Sequence, residues 1–425
     1  MLRELFLQYK RKWWFWAGLF VFIILCLAVS AFKGRNAAVS YIDFSGFYTA
    51  GYHFSEGKEL YGKIYKHVMP FYYLPFMAMI FSTLSLIYYQ YSAFIFYSFN
   101  ILLTPLIYIY ILRILELCGY TWKEIKWPFV LSLILSLRYI GTNYDLGQVN
   151  VFVFIFILLG FIHFLKNNDN KSLIFFSIAA IIKIIPAVFI FWYFLKKPSW
   201  KVIYIPLLVL TLAILLPFPF RGIELSFYDL QSFYNHVLQE HLFSAEVFYR
   251  YTNQSLSAFL GRIFFPPAGE NQHIFPYLNL SQLTGNTIIL VTRLILLLSF
   301  IFLTLRLRKI PKQFMIFEFA IVILFIHLFS SLTWKNHLVT LVLVFIPFFM
   351  MNFNNKKPFA RFLLAFVCLI LILLSLSFAT LIGYQFSNYI GSYSLYFIMM
   401  LFFYVYYYRF SLKSILIKQK DIDIY

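Results

Sequence analysis

Long apolar runs joined by short basic connections limit what this chain of 425 residues can fold into. Its residues are 62% hydrophobic and 12% charged, whereas a soluble globular chain has about 45–50% apolar and about 25% charged residues. A membrane-spanning helix needs about 20 apolar residues, so the chain has room for about 10–13 transmembrane or re-entrant helices. We therefore expect an all-α polytopic membrane protein, in which residues 1–425 form a single integral membrane domain.

The formal net charge of +19 raises the question of a nucleic-acid or other acidic partner. However, the Lys and Arg residues lie mostly in short connections such as Lys10-Arg11-Lys12 and Arg306 to Lys312, as the positive-inside rule predicts. Membrane lipids are therefore expected partners, and nucleic acid is not. Cys26, Cys118 and Cys368 are scattered along the chain, so we expect neither a disulfide framework nor a metal site.

The basic flank at the start of the chain sets the expected topology. Residues 1–12 form a cytoplasmic N-terminus, and 13–32 form a retained first span rather than a cleaved signal, because no small-residue cleavage site follows the apolar run. That span delivers residues 33–70, the first outer loop, to the non-cytoplasmic face. Residues 221–284 form the second outer loop, and 410–425 form a basic cytoplasmic tail.

Two apolar runs, 70–89 and 172–195, admit alternative topologies. If both cross fully, the basic connections beside them face outward, against the positive-inside rule. If 70–89 lies at the interface and 172–195 forms a hairpin, all the basic connections face the cytoplasm. Each hairpin arm would have about 12 residues and a length of about 18 Å, less than the hydrocarbon thickness of about 30 Å. We favour the hairpin, in which Pro186 removes a backbone donor at the bend and Lys183 lies at the buried tip.

Asp43 is the leading candidate for chemistry, since an ionised carboxylate beside a bilayer has to be solvated, paired or used. A carboxylate there can act as the general base for a hydroxyl nucleophile. The alternatives are that Asp43 caps a helix or forms a salt bridge with Lys33 or Arg35. Its loop opens on the outer face in the favoured topology.

Further polar groups are candidates for substrate binding. Asp145 precedes two amides, Gln148 and Asn150, and then an apolar helix. The amides suit hydrogen bonds to a sugar, while the alternative for Asp145 is a helix cap. Lys183 lies within an apolar run, where a fixed cation can bind a lipid phosphate; the alternative is snorkelling to the interface.

Two later segments of the chain contain the remaining candidate residues. Arg250 is followed by the amides Asn253 and Gln254, a combination that a phosphosugar site would use and that a solvated loop would also contain. Trp334 and His337 lie in a short connection between two spans. A Trp at an interface is expected anyway, whereas a His there can contact a phosphate or shift a neighbouring pKa.

These landmarks, in this order, resemble the polyprenol-phosphate-dependent glycosyltransferases of the GT-C superfamily, and more closely glycosyltransferase family 87, the relatives of bacterial mannosyltransferases that extend lipid-linked glycans. The matching pieces are Asp43-Phe44 with Tyr48 and Ala50, Gly57 with Tyr61, Tyr73-Leu74-Pro75, Gly147-Gln148-Val149-Asn150, Lys183 with Pro186, Asn253-Gln254-Ser255-Leu256, and Thr333-Trp334 with His337. Two pieces depart from the family pattern. Its Ser-Trp-acid-His-His is here Thr333-Trp334-Lys335-Asn336-His337, and its Tyr-Pro-Pro is here Tyr73-Leu74-Pro75.

The resemblance implies a GT-C-like helical bundle and an inverting hexosyltransferase, or pentosyltransferase, that works without a cofactor. The donor would be a polyprenyl-phosphate sugar, most often mannose, and the acceptor a lipid-linked or cell-envelope glycan on the non-cytoplasmic face of the inner (plasma) membrane. Asp43 would match the catalytic base. The expected substrate-binding residues are Tyr48, Asp145, Gln148, Asn150, Lys183, Arg250, Asn253, Gln254, Trp334 and His337.

Two other classes of membrane protein are alternatives. A transporter or flippase for lipid-linked sugars tends to show repeated halves with broken helices at matching positions, and no internal repeat is readable here. A polymerase or ligase of lipid-linked glycans is also polytopic with large outer loops. Use of a monosaccharide donor rather than a preassembled oligosaccharide-lipid would distinguish the transferase from it.

Overall fold

The computed structural model describes residues 12–37, 42–62, 66–243, 250–266, 277–353, 355–377 and 383–422. All regular elements in these ranges are helices, and eight helical segments are long and apolar enough to cross a membrane. The expected all-α polytopic membrane fold is therefore confirmed. Most of the predicted cytoplasmic N-terminus and parts of both predicted outer loops lie outside the described residues.

The α-helices in chain order are α1 (Trp13–Ala37), α2 (Asp43–Ser55), α3 (Pro75–Ser85), α4 (Tyr89–Leu117), α5 (Trp122–Asp145), α6 (Asn150–Leu165), α7 (Asp169–Ile182), α8 (Ala187–Lys196), α9 (Lys201–Leu215), α10 (Phe218–Arg221), α11 (Ile223–Phe233), α12 (Leu256–Phe264), α13 (Gln282–Arg306), α14 (Met315–Phe329), α15 (Leu341–Asn352), α16 (Pro358–Ser375), α17 (Tyr384–Ser392) and α18 (Leu395–Ile422). A π-helix (Tyr234–Phe243) continues α11, and the 3-10 helices Lys312–Phe314 and Lys335–Thr340 lead into α14 and α15.

The described residues pack as two compact units. The first unit takes its residues from Met1–Leu117, Gly141–Ile190 and Trp200–Ser244, and the second takes its residues from Cys118–Ile140, Phe191–Ser199 and Ala245–Tyr425. Each unit contains residues that the sequence marks as candidates for substrate binding.

In the first unit, α2 packs closely against α3 because a glycine removes a side chain from the contact. A Cβ atom on Gly51 would lie 2.5 Å from the backbone oxygen of Phe81, so only glycine permits this approach. The rings of Phe47 and Phe81 stack with centroids 4.6 Å apart, and Phe44 is fully buried. These contacts hold the start of α2, where Asp43 lies, against the rest of the unit.

Short helices occupy the two runs for which the sequence leaves alternatives. The run 70–89 contains α3, whose 11 residues span about 16 Å, well under a hydrocarbon thickness of about 30 Å. The run 172–195 is broken between α7 and α8, and the backbone at Lys183 is extended (φ −145°, ψ 129°). The break before Pro186 agrees with the missing backbone donor. The hairpin topology itself stays a prediction.

The second unit has its core in α14 and α15. In the segments that contain α14 and α15, 78% of the residues of the most apolar stretch are buried, whereas in α13 and α16 only 22% are. The helices α14 and α15 are therefore apolar core helices, and α13 and α16 present apolar side chains outward. Within α14, the carboxylate of Glu318 accepts hydrogen bonds from Lys196 (2.8 Å) and from the indole of Trp192 (2.8 Å). A carboxylate buried in such a core requires these partners.

Candidate active site

Asp43 is the first residue of α2. The N-cap position is Ile42, which makes no side-chain capping bond, so the structure does not use Asp43 as the helix cap. The backbone N–H of Asp43 donates to the carbonyl of Leu146 at 2.9 Å, which ties the start of α2 to the turn after α5. A carboxylate in the first turn is also favoured by the positive end of the helix dipole.

The turn after α5 reaches Asp43 because residue 147 is glycine. Gly147 has φ +64°, and a Cβ atom on it would lie 2.9 Å from the Cβ of Phe44 and 3.1 Å from the hydroxyl of Tyr97. Both the backbone conformation and the close approach therefore require a residue without a side chain. This turn places Gln148 beside the start of α2.

The buried Gln148 links three half-buried side chains, those of Tyr73, Lys183 and Asp43, in one cluster. Its Oε1 accepts hydrogen bonds from the hydroxyl of Tyr73 (3.2 Å) and from Nζ of Lys183 (3.3 Å). Its amide donates to the carboxylate of Asp43. The Lys183 ammonium also donates to Oδ1 of Asn150 at 2.7 Å. We call these five residues the Asp43 cluster; Asp43 was predicted as the base and Gln148, Asn150 and Lys183 as binding residues, whereas Tyr73 was not among the predicted site residues.

Burial sets the electrostatics of the cluster. It raises the pKa of Asp43 above the ordinary value, while the hydrogen bond from Gln148 and the charge of Lys183 act in the opposite direction. Lys183 lies in the break between α7 and α8, outside the eight candidate spans. Burial lowers the pKa of Lys183 to about 8, against the opposing influence of Asp43. Burial and the charge of Asp43 raise the pKa of Tyr73, so this phenol stays a hydrogen-bond donor at neutral pH.

The second carboxylate of this region has a different environment. Asp145, the last residue of α5, pairs with Lys33 at 2.5 Å, and its side chain is 52% exposed. The N-cap of α6 is Val149, so Asp145 does not cap that helix. Lys33, named above as a potential partner of Asp43, therefore pairs with Asp145.

Tyr48 lies one and a half turns after Asp43 on α2. Its hydroxyl donates to the carbonyl of Ile87 at 3.0 Å, and its ring packs edge-on against Tyr89 with centroids 4.9 Å apart. These contacts join α2 to the connection between α3 and α4. Sugar binding by Tyr48 stays a prediction.

In the second unit, the predicted binding amides hold backbone segments together. Oδ1 of the buried Asn253 accepts from the backbone N–H groups of Ser255 (3.1 Å) and Thr333 (2.9 Å). Nε2 of the buried Gln254 donates to the carbonyls of Tyr251 (2.7 Å) and Gly391 (3.0 Å). The segment around Asn253 and the connection around Thr333 therefore form one structural piece, and direct sugar contacts by the two amides stay predictions.

Trp334 and His337 stack in that connection. Their rings are 6.2 Å apart and 17° from parallel, and the backbone N–H of Trp334 donates to Nδ1 of His337 at 3.3 Å. Because Nδ1 accepts a bond, a neutral His337 carries its proton on Nε2, the form that donates to a phosphate oxygen. Arg250, in the same unit, has an exposed side chain, and its carbonyl accepts from the buried Arg262 at 2.8 Å.

A buried ion pair of the first unit was missed from the sequence. Arg221 donates through Nε and Nη2 to both oxygens of Asp229, at 2.9 and 3.0 Å. Nη1 donates to the carbonyls of His53 (3.1 Å) and Phe54 (3.2 Å), which lie in the last turn of α2; the carbonyl of His53 also accepts from the backbone N–H of Lys58 at 2.9 Å. The guanidinium thus fixes the far end of the helix that begins at Asp43. An Arg after an apolar run, with an acid eight residues later, resembles ordinary surface charge in sequence.

Comparison with curated proteins found no significant match. The family model of glycosyltransferase family 87 matches residues 71–331, more than half of the chain. The matched residues include Gln148 and Lys183, and Asp43 precedes them. The match agrees with the motif resemblance and with the polytopic helical architecture: the chain belongs to glycosyltransferase family 87.

Proposed function

We propose that this membrane glycosyltransferase transfers a hexose such as mannose, or a pentose, from a polyprenyl-phosphate sugar to a hydroxyl of a lipid-linked or cell-envelope glycan. The reaction would take place on the non-cytoplasmic face of the plasma membrane. The observation that carries the proposal is the Asp43 cluster, in which a half-buried carboxylate with a raised pKa shares Gln148 with a lysine ammonium.

Asp43 has the properties of a general base. When the acceptor oxygen attacks the anomeric carbon, a C–O bond forms on one face of the sugar. The bond to the phosphate oxygen breaks on the other face, which inverts the configuration. The hydroxyl proton passes to Asp43, whose raised pKa strengthens it as a base. The leaving lipid phosphate takes the bonding electrons and is stable as an anion, so no general acid is required.

Lys183 is positioned to serve the leaving group. Its ammonium donates to Asn150 and Gln148 and is therefore held in place before the reaction. Little free energy is then needed to orient this charge when negative charge grows on the phosphate. Arg250 and His337 stay candidates for phosphate contacts on the sequence alone. The amide of Gln148 would keep the carboxylate oriented toward a bound hydroxyl.

Asp43→Asn tests the reaction and its base together. The full chain in lipid nanodiscs would receive a panel of polyprenyl-phosphate sugars with a glycolipid extract, and released polyprenyl phosphate would be measured. Loss of the base should lower the release rate about 10²–10⁴-fold. The matched control is Glu56→Gln, which neutralises an exposed carboxylate at the other end of α2 and should retain the wild-type rate.

Each contrary outcome removes a different part of the proposal. Equal release by wild type and Asp43→Asn would leave a transferase without Asp43 as its base. Release only with a preassembled oligosaccharide-lipid donor would indicate a polymerase. Absence of release with every donor, together with movement of sugar-lipid across vesicle membranes, would indicate a flippase.

A further inference from the structure

Helix α11 of the first unit exposes large apolar side chains and buries polar ones. Ile223 and Phe227, about one turn apart, are 67% and 61% exposed. Ser226 and Asp229, on the side that faces the protein, are buried. A helix at the surface of a soluble protein has the opposite arrangement, with its apolar stripe against the core. The pattern therefore indicates apolar surroundings on the outer side of α11.

The exposed side of α11 is divided into an apolar and a polar sector. Successive residues of an α-helix are rotated by about 100°, so Ile223 and Phe227 lie about 40° apart and form one stripe, which we call the apolar stripe. Glu224 and Gln231 are also exposed, and their positions lie together along one edge of the stripe. The third sector, with Asp229, packs against the protein. Contact with an apolar phase, with water and with protein on three sides fits a helix at the boundary between a bilayer and water.

The helix α11 lies beside the last turns of a candidate span rather than beyond its end. The span comprises residues Lys201–Arg221. The ring of Phe227 packs edge-on against that of Phe218 with centroids 5.4 Å apart. Ser226 lines the same small cavity as Ala213, which precedes the end of the span by a rise of about 12 Å. The helix is therefore at a depth that the span itself occupies.

The outer side of this span presents an apolar ridge that leads to α11. The ridge consists of exposed side chains, each about one turn after the last, namely Leu208, Leu212, Leu216 and Phe220. Only 22% of the most apolar stretch of the span is buried, as expected of a helix that faces lipid. Because the apolar stripe follows this ridge beyond Arg221, the phase that covers the ridge also reaches the stripe.

The charges of this region agree with that depth. Asp229 lies on the protein side and accepts two hydrogen bonds from the buried Arg221, at 2.9 and 3.0 Å. Ionised groups at membrane depth face the protein interior and pair in this way. Glu224, the exposed acid of α11, lies in the polar sector and not in the apolar stripe.

We propose that α11 lies in the membrane interface and that lipid covers its apolar stripe. Ile223 and Phe227 would lie among the acyl chains near the headgroups, and the polar sector would face water. Lipid is the partner, rather than a protein, because the ridge of the adjoining span has the same surroundings. Arg221 lies where span and helix meet and donates to carbonyls in the last turn of α2, so the bilayer would also support the helix that begins at Asp43.

Nitroxide spin labels test the surroundings of each sector. The full chain, with its three native cysteines replaced, would carry one label per variant. The stripe variants are Ile223→Cys and Phe227→Cys, and the matched controls in the polar sector are Glu224→Cys and Gln231→Cys. Power-saturation EPR in phosphatidylcholine liposomes compares collisions with oxygen, which concentrates in acyl chains, and with a water-soluble nickel chelate. The stripe labels should lie about 5–10 Å deep in the headgroup–acyl boundary, and the chelate should reach the control labels.

All four labelled positions are exposed, so each variant should fold, and an unchanged Tm of the labelled protein checks this. Equal access of the chelate to all four labels would place α11 in water and overturn the proposal. Line broadening of the stripe labels that disappears on dilution with unlabelled protein would show a second copy of the chain on the stripe and overturn the lipid assignment. The readout needs no sugar transfer, so its outcome is independent of the proposed function.

Discussion

At the scale of single residues, Asp43 and Lys183 are coupled through Gln148, so their titrations should shape the pH dependence of catalysis. Asp43 must be ionised to accept a proton, and burial raises its pKa; activity is therefore lost as pH falls through this raised value. Lys183 must be protonated, and its pKa is about 8; activity is therefore lost as pH rises through about 8. We expect a bell-shaped profile of kcat/KM, whose apparent pKa values belong to the pair.

The variant Lys183→Gln separates the two limbs of that profile. It removes the group that titrates near pH 8, so the alkaline limb should disappear along with part of the rate. It also removes a charge that lowers the pKa of Asp43, so the acidic limb should move to higher pH. Persistence of the alkaline limb in this variant would show that another group causes it.

At the scale of secondary-structure elements, α2 is held at both ends, by the Gly147 turn near Asp43 and by Arg221 at its last turn. Gly147→Ala should push the turn away from Phe44, because the new Cβ would lie 2.9 Å from the Cβ of Phe44. Since the turn carries Gln148, kcat should fall sharply, and Tm should fall as well. Transfer rate and Tm of the purified variant would be measured together.

Gly119→Ala is the matched control for this substitution. Gly119 also has a positive φ, +93°, but a Cβ there would meet no atom within 4 Å. It should lose about 1–2 kcal/mol of stability from the left-handed backbone alone and keep its activity. If both alanine variants retained wild-type kcat, the approach of the turn to α2 would have no role in catalysis.

At the scale of the whole molecule, the favoured topology places the connections around Lys123 and Lys166 in the cytoplasm. Both side chains are exposed, so Lys123→Cys and Lys166→Cys can be labelled by a thiol reagent. In a variant without native cysteines, a membrane-impermeant thiol reagent should label neither position in intact cells and both positions in permeabilised cells. Lys66→Cys, exposed in the first outer loop, should be labelled in intact cells. Labelling of positions 123 and 166 from outside would exclude the hairpin.

The helices and most of their limits were predictable from the sequence because hydropathy and proline act locally. The predicted first span, 13–32, lies within α1, Trp13–Ala37, and the break in the run 172–195 occurs where Pro186 removes a donor. The candidate site was predictable in part. Asp43, Gln148, Asn150 and Lys183 were each singled out, and the structure brings them together.

The sequence by itself therefore determined the helical membrane class and the main chemical candidates, since both follow from local composition and motif order. Only the tertiary structure decided which charges meet. Asp43 and Asp145 were both outer-face acids in sequence, yet packing leaves Asp43 half-buried within the influence of Lys183 and leaves Asp145 exposed and paired with Lys33. The partners of these carboxylates are more than a hundred residues away in sequence, and ion pairing depends on distance and burial in the folded chain rather than on local pattern.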